Sequence, residues 1–451
     1  MKIIAKSVAI LGAGRSGLAA ARLLHNQGKR VLLSDHRSIP PQVKGELRVH
    51  EIAYEEGGHT ERVLDGELIV LSPGVPLEIP ILAEARRRGI PIIGELELAY
   101  RSCKSRKIIA VTGTKGKSTT TKLIGELLRA HGYKVVVAGN IGRPLSGELE
   151  RIDEETIVVL EVSSFQLESV VEFHPWISLF LNLAPDHLER HGSLENYFRI
   201  KCRIFSNQTD EDFAIVHRSL LPRLPELRPR LLTFGPEDLP RVELGGLFPH
   251  LREDLAAALC AARLVEPGID LSRIDLEKAL TMPHRLEFVA EVGGVRFYDD
   301  SKATNVMATL AAIASFPDSS LTLILGGRAK GESFSPLARE VKKRRIAALL
   351  LGEAEIDLAR EFERLGHQRF YFIHDFHEAV RLALEIGHEV CLLSPACASF
   401  DMFSDYAARG EAFREAVRAL RSSLSPCSSD QSPSRSHPEE SLIELPRREG
   451  G

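Results

Sequence analysis

No apolar run in this 451-residue chain approaches the roughly 18 residues that a membrane-spanning helix needs. Its charges nearly cancel. The 58 Lys and Arg against 62 Asp and Glu leave a net −4, whereas a general nucleic-acid binder shows a strongly basic face. Cysteines are few, at 103, 202, 260, 391, 397 and 427, and no two form a C-x-x-C pair. Neither a disulfide framework nor a zinc cage is indicated, and reduced thiols in a cytoplasmic protein fit that spacing. Met1 to Lys6 runs into a strand-like segment, without the apolar stretch or cleavage site of a secretory signal. No repeat with a period of about 20–50 residues is visible. What is there is 44% hydrophobic and 27% charged. The chain therefore reads as a soluble protein of about three domains, with no nucleic-acid partner and no membrane insertion. We expect it to act as a monomer.

Short apolar, β-branched runs alternate with helix-like segments. Examples are Ser7–Leu11, Val31–Leu33, Leu68–Leu71, Ile108–Val111, Val135–Val137, Ile157–Leu160, Leu321–Leu325, Ile346–Leu351 and Val390–Leu393. Several run into Gly, Ser or Asp and then a helical pattern, which predicts an α/β protein built of β-α units and mostly parallel sheets. A polar break at Tyr100–Lys107 and another near Pro283–His284 divide the chain into 1–102, 103–284 and 285–421. From Ser422 to Ser441 there are nine Ser and three Pro. Residues 422–451 bury too little apolar surface to offset ordering entropy, so a disordered tail is expected. The basic runs Arg86–Arg88 and Lys342–Arg345 are expected to end helices, where they complement the dipole.

Two glycine loops follow strands. The first, Gly12-Ala13-Gly14-Arg15-Ser16-Gly17, precedes a helical stretch, Leu18–Gln27, and a second strand that ends in Asp35. G-x-G-x-x-G in this context brings backbone N–H groups and a helix N-terminus to a diphosphate, with the acid available to a sugar hydroxyl. The loop suits a nicotinamide or flavin oxidoreductase, another diphosphate-bearing nucleotide, or a tight turn without ligand.

The second loop, Gly113-Thr114-Lys115-Gly116-Lys117-Ser118-Thr119, follows the strand Ile108–Thr112 and opens a helix through Leu128. It departs from the P-loop pattern in having Val111 at the first glycine position. It still supplies N–H groups for a β-phosphate, Lys117 for β/γ oxygens and a hydroxyl at Ser118 or Thr119 for Mg²⁺. A metal–nucleotide site also needs a carboxylate on a neighbouring strand. The run Thr156–Leu160 ends in Glu161, the first candidate Mg²⁺ ligand. The segment from Leu181 reads as an apolar strand ending in the polar cluster Asp186-His187-Leu188-Glu189-Arg190, with His187 either a ligand or a structural histidine.

Together with these loops, E-V-S-S-F-Q-L-E (161–168), D-H-L-E-R (186–190), P-H-R-L-E (283–287), D-S-K-A-T-N (300–305) and L-S-P-A-C-A-S-F-D (393–401) resemble the Mur ligases. These are ATP-dependent amide-bond ligases of peptidoglycan precursor synthesis. The motifs G-A-G-R-S-G, S-P-G (72–74) and G-N-I-G (139–142) are most similar to those of the family member that adds D-glutamate.

The resemblance implies a Rossmann-like UDP-sugar domain, a central P-loop-type ATPase domain with a mostly parallel sheet, and a Rossmann-like amino-acid domain. It turns the first loop from a dinucleotide to a UDP site. Carried over by motif, Gly14, Arg15, Ser16, Asp35, Arg37, Ser72, Gly74, Asn140 and His187 contact the UDP substrate. Gly113 to Thr119 hold ATP, with Arg285, Asp300 and Lys302 reaching it from the C-terminal side. Ser118, Glu161 and His187 ligate Mg²⁺, joined by Lys201 as a carbamate. Lys302, Thr304, Lys330, Ser399 and Phe400 hold D-glutamate. The catalytic set is Lys117, Glu161, His187, Lys201 and Arg285.

Where the family usually has His-Asn-x-x-Asn against adenine, this chain has His250-Leu251-Arg252-Glu253-Asp254, after a segment from Gly235 that looks shortened. Leu251 cannot hydrogen-bond a base, and an ionised Asp254 only accepts. The rival readings are a Mur-type ligase for another amino acid, a non-catalytic nucleotide-binding module in which the adenine-site changes have abolished activity, and a nicotinamide-dependent oxidoreductase. The last leaves the second loop and Glu161 without a role.

Overall fold

A computed structural model describes residues 3–239, 249–276, 279 and 283–424. The stretch 425–451, which includes Cys427 and most of the expected tail, lies outside the described residues, as does 240–248 of the segment read as shortened. Packing divides the chain into two compact units, Met1–Met282 and Pro283–Gly451.

The first unit holds two sheets whose strand pairs are all parallel. One comprises β1 (Ser7–Leu11), β2 (Arg30–Asp35), β3 (Ala53–Glu56), β4 (Leu68–Leu71) and β5 (Ile92–Gly94), in the order β3-β2-β1-β4-β5. The other comprises β6 (Ile108–Thr112), β7 (Val135–Gly139), β8 (Ile157–Glu161), β9 (Ile177–Phe180), β10 (Phe213–His217) and β11 (Arg230–Phe234), in the order β11-β10-β9-β6-β8-β7. The central strands β6 and β8 are buried at every position, as expected for strands covered on both faces. The helices are α1 (Arg15–Asn26), α2 (Pro41–Val49), α3 (Pro80–Arg87), α4 (Glu95–Ser102), α5 (Lys117–Ala130), α6 (Ser164–Leu167), α7 (Leu188–His191), α8 (Leu194–Cys202) and α9 (Pro249–Val265). Arg86 and Arg87 fall in the last turn of α3, as expected.

The polar break at 100–107 does not separate independent bodies, because α4 serves two cores. Leu98 packs with Ile10 and Val70 of the first sheet. Leu96, Ala99 and Cys103 pack with Val158 and Phe173 of the second. The fully buried Glu97 accepts the backbone N–H groups of Val171, Glu172 and Phe173 at 2.9–3.1 Å.

The second unit carries β12 (Glu287–Val292), β13 (Val295–Asp299), β14 (Leu321–Gly326), β15 (Ala347–Leu351), β16 (Phe370–Phe372) and β17 (Val390–Ala396), in the order β12-β13-β17-β14-β15-β16. Only β12 and β13 pair antiparallel. Gly293 and Gly294, with φ of 57° and 81°, supply the two positive φ values of their tight hairpin turn. In each sheet one strand is flanked by partners reached in opposite directions: β1 by β2 and β4, β6 by β8 and β9, β17 by β13 and β14. Ligands of open α/β sheets bind beyond the carboxyl ends of strands at such switch points. Among the described residues no helix is long and apolar enough to cross a membrane.

Candidate active site

The loop after β6 sits at the second sheet's switch point. Gly116 takes φ +81° at the N-cap of α5, a left-handed turn that opens the helix start toward the loop. Lys117 folds back, its Nζ donating to the carbonyls of Gly113 and Thr114 at 2.9 Å each. Ser118 Oγ donates to Glu161 Oε2 at 2.6 Å, and Asn140 Nδ2 donates to Glu161 Oε1 at 2.7 Å. The buried carboxylate at the end of β8 is thus held from both sides.

Residues 181–183 correct a sequence expectation. The strand β9 ends at Phe180, although apolar character continues. Asn182 is drawn to the phosphate loop instead. Its Oδ1 accepts from the N–H groups of Thr114 and Lys115 at 3.2 and 2.9 Å, and Ala184 N–H donates to Thr114 Oγ1 at 3.0 Å. Pro185 then has no N–H to give.

Beside the loop lies a cavity of about 120 Å³ lined by Lys117, Asn140, Ser163, Ser164, Phe165, Asp186, His187, Tyr197 and Lys201. Four residues chosen from sequence motifs therefore meet in one space: Lys117, Asn140, His187 and Lys201. Lys201, on α8, is 1% exposed. Its Nζ donates to Gly113 O at 2.8 Å and lies 4.5 Å from the centre of the Tyr197 ring. Burial and the nearby Lys117 hold its pKa well below the ordinary lysine value, which favours the neutral amine. Glu161, Ser118 and Asp186 offer oxygen atoms, the donor type that a hard divalent cation takes. Asp186, Tyr197 and Asn182 escaped the sequence reading. The D-H pair was visible, but only its histidine was taken.

The first loop is shaped by polar groups the sequence had aimed at a ligand. Asp35 Oδ2 accepts from Ala13 N–H at 2.7 Å and its Oδ1 from Arg37 N–H at 2.8 Å. Ser72 Oγ donates to Gly12 O at 2.8 Å. A Cβ on Gly17 would stand 1.8 Å from that same carbonyl oxygen, so the helix can approach only with glycine there. Gly14 caps α1 without a side-chain bond, and the space beside its Cα is open. Arg15 and Gly14 are exposed and Ser16 is half-buried, while the Arg15 guanidinium donates to Gly142 O at 3.1 Å. Arg37 and Gly74 are exposed. On α9, Leu251 joins the apolar core around α5. Buried Asp254 abuts Gly116, where an added Cβ would lie 2.0 Å from its Oδ1. The side chain of His250 lies outside the described residues.

In the second unit, Arg285 is flanked by two residues of positive φ, His284 (+60°) and Leu286 (+43°). Such strain persists only where surroundings enforce it. His284 O accepts from Lys302 N–H at 3.1 Å, Leu286 N–H donates to Asp300 Oδ1 at 3.3 Å, and His284 Nδ1 lies 2.7 Å from Asp299 Oδ2. Lys330 Nζ donates to Thr304 Oγ1 at 3.1 Å, and Lys302 Nζ lies 5.3 Å from the centre of the Tyr406 ring. Ser399 is buried, whereas the Phe400 side chain is 63% exposed. Buried Arg409 donates to Ser301 O, Cys397 O and Gly326 O, tying together the ends of β13, β17 and β14. No sequence motif had pointed to it.

Burial pushes the Asp300 carboxyl up to about 7, against the opposing bonds from Ser394 and Leu286. The unfolded chain loses this proton near its ordinary value, so the stability it lends is complete below about 4 and lost as pH rises through about 7. Asp300→Asn is therefore expected to melt higher than the wild type at pH 8, by an increment on the order of a few kcal/mol, and nearly with it at pH 4. Melting curves of the two proteins across that range check the sign.

Family profiles match three stretches: "Mur ligase MurD-like, N-terminal domain" over 6–94, "Mur ligase middle domain" over 111–239, and "Mur ligase, glutamate ligase domain" over 284–397. A protein of Caldicellulosiruptor bescii named UDP-N-acetylmuramoylalanine–D-glutamate ligase is 39% identical, over 93% of this chain and 99% of its own. The chain belongs to the Mur ligase family. An Acidobacterium capsulatum protein of the same name is 40% identical over 93% of this Mur ligase and 98% of its own length. Solved Mur ligases share the fold at low identity. The MurF ligase of Thermotoga maritima, in complex with ADP, superposes with a TM-score of 0.57 at 16% identity over 87% of this chain and 95% of its own. The MurC ligase of the same organism gives 0.54 at 19% over 92% and 99%.

Proposed function

We propose that this Mur ligase joins D-glutamate to UDP-N-acetylmuramoyl-L-alanine, consuming ATP and releasing ADP and phosphate, in peptidoglycan precursor synthesis. The observation that carries the reading is the cavity at the second switch point. There the phosphate-loop Lys117, the Asn140 that holds Glu161, and the buried Lys201 converge in a chain similar over nearly its whole length to ligases of that name. We assign UDP-sugar binding to 1–102, the ATPase to 103–284 and amino-acid binding to 285–421, in a cytoplasmic monomer.

In the first step the alanyl carboxylate attacks the γ-phosphorus, the bond to the β-bridging oxygen breaks, and an acyl phosphate and ADP form. In the second the amine of D-glutamate attacks the acyl carbon, and the tetrahedral intermediate expels phosphate as the nitrogen loses a proton. Two anions meet in the first step, so catalysis is mainly positive charge fixed in place. Lys117 and the N–H groups of Gly113 to Thr119 supply it at the phosphates. Glu161, Ser118, His187 and a carbamylated Lys201 would hold Mg²⁺, which when bound neutralises phosphate charge. Asn140 and His187 orient the substrate's reacting end. In the amino-acid domain, Lys302 and Lys330, with the hydroxyls of Thr304 and Ser399, suit a substrate with two carboxylates.

Release of ADP, measured with UDP-N-acetylmuramoyl-L-alanine and a panel of D- and L-amino acids, tests the reading. D-Glutamate is expected to give the highest kcat/KM. A clear preference for another amino acid moves the chain to a different member of the family.

A further inference from the structure

Arg190 joins the turn after β4 to the end of α6. Its guanidinium donates to Val75 O at 3.0 Å and to both carboxylate oxygens of Glu168, at 2.6 and 3.2 Å. Val75 closes the turn that begins at Ser72, its N–H donating to Ser72 O at 3.0 Å, and Ser72 in turn grips Gly12 of the first glycine loop. The acceptor on this side is thus tied by hydrogen bonds to the loop proposed to hold the diphosphate.

On the other side Arg190 leads into the reaction cavity. It lies 5.5 Å from the centre of the Phe165 ring, and Phe165 packs on His187 with ring centres 4.9 Å apart. Glu168 also faces buried His191 at 3.3 Å, which stacks on Tyr197 at 5.0 Å, the ring that covers Lys201. Burial lowers the His191 pKa, so the ring is neutral and Arg190 is the cation that balances Glu168. A guanidinium fork suits this place because its planar donors grip both oxygens of a carboxylate and a carbonyl in one fixed geometry, whereas a lysine offers a point charge on a flexible stem.

We propose that Arg190 is a positioning residue that couples occupancy of the first glycine loop to the placement of His187 and Lys201. Ordering of the Ser72–Val75 turn by a bound diphosphate fixes Val75 O, and through Arg190 fixes the Phe165–His187 pair. The inference rests on the proposed UDP-substrate binding and adds a regulatory link within it.

The test compares full-length wild type, Arg190→Ala and Arg190→Lys. Calorimetry measures UDP binding, with NAD as control. Amide exchange over residues 186–201 is followed with and without UDP, and kcat and KM of ADP release are measured. Wild type is expected to bind UDP and to slow exchange over 186–201 when it does. Both variants are expected to bind UDP within a factor of about two, to lose that slowing, and to drop in kcat by roughly tenfold or more, in line with misplacement of a reacting group. Ethylguanidine should restore part of the kcat of Arg190→Ala. Unchanged slowing and unchanged kcat in the variants would overturn the coupling while leaving the ligase reading intact. Loss of UDP binding together with a lowered melting temperature would reduce Arg190 to a structural strut. Failure of wild type to bind UDP while ADP release persists would remove the UDP assignment of the first loop, and the coupling with it.

Discussion

Lys117→Ala is expected to cut ADP formation by at least ~10²-fold while leaving binding of the UDP substrate nearly unchanged. The size follows from what the side chain has to do. In the transfer an anionic carboxylate approaches an anionic phosphoryl group while the departing ADP oxygen takes up negative charge. A fixed ammonium at a water-poor site is worth far more there than in bulk. Lys117 is already folded over its own loop by the Gly113 and Thr114 carbonyls, so little reorganisation is needed when phosphates arrive. The selectivity follows from topology: Lys117 begins α5 beside the second sheet, whereas the first glycine loop follows β1 of the other. Single-turnover ADP release and UDP calorimetry on the same preparation check both halves. An alanine variant within a few-fold of wild type would remove the second loop from the chemistry.

Lys201→Ala is expected to be nearly inactive, and Lys201→Arg no better. An ammonium that is 1% exposed, with one carbonyl as its hydrogen-bond partner and another lysine nearby, is costly, and the neutral amine is favoured. A neutral amine adds to CO₂, forming an N–C bond and losing one proton. The position then carries an anion with two oxygens in place of a neutral amine. A guanidinium cannot follow that route because it stays charged. Short carboxylic acids added to Lys201→Ala should restore part of the turnover by placing a carboxylate in the vacated space. A carbamate carbon signal should appear in wild type supplied with labelled CO₂ and be missing from the variant. Full activity of either variant would leave Glu161, Ser118 and His187 as the protein's metal ligands.

The β-α alternation, both glycine loops and the carboxylate ending β8 were legible because each is a local pattern: a short apolar run, then residues that can only turn or cap. Lys117, Asn140, His187 and Lys201 were legible through motif order, and the cavity collects all four. Contacts between distant stretches were not legible. Asn182 lay within a segment read as an apolar strand, and nothing local says that its amide shapes a loop almost seventy residues earlier. Arg409 drew no reading from the sequence, yet on the long helix Tyr406–Leu424 it is buried against the carbonyls of Ser301, Cys397 and Gly326. Asp35 and Ser72 were read as ligand contacts, and both spend hydrogen bonds on holding the loop itself. The break after Tyr100 was real in composition, but the helix before it presents different residues to different cores.

That shared helix limits how the protein can be taken apart and recombined. A chimera cut at Gly94, where the N-terminal family match ends, would part Leu98 from Ile10 and Val70. A cut after Cys103 would carry Leu96 and Ala99 away from Val158 and Phe173, and would strip Glu97 from the three N–H groups it neutralises. No seam spares both cores. On the proposed assignment of the sugar nucleotide to the first sheet, its recognition is therefore better altered by transplanting the turns after β1, β2 and β4 than by swapping the whole N-terminal sheet.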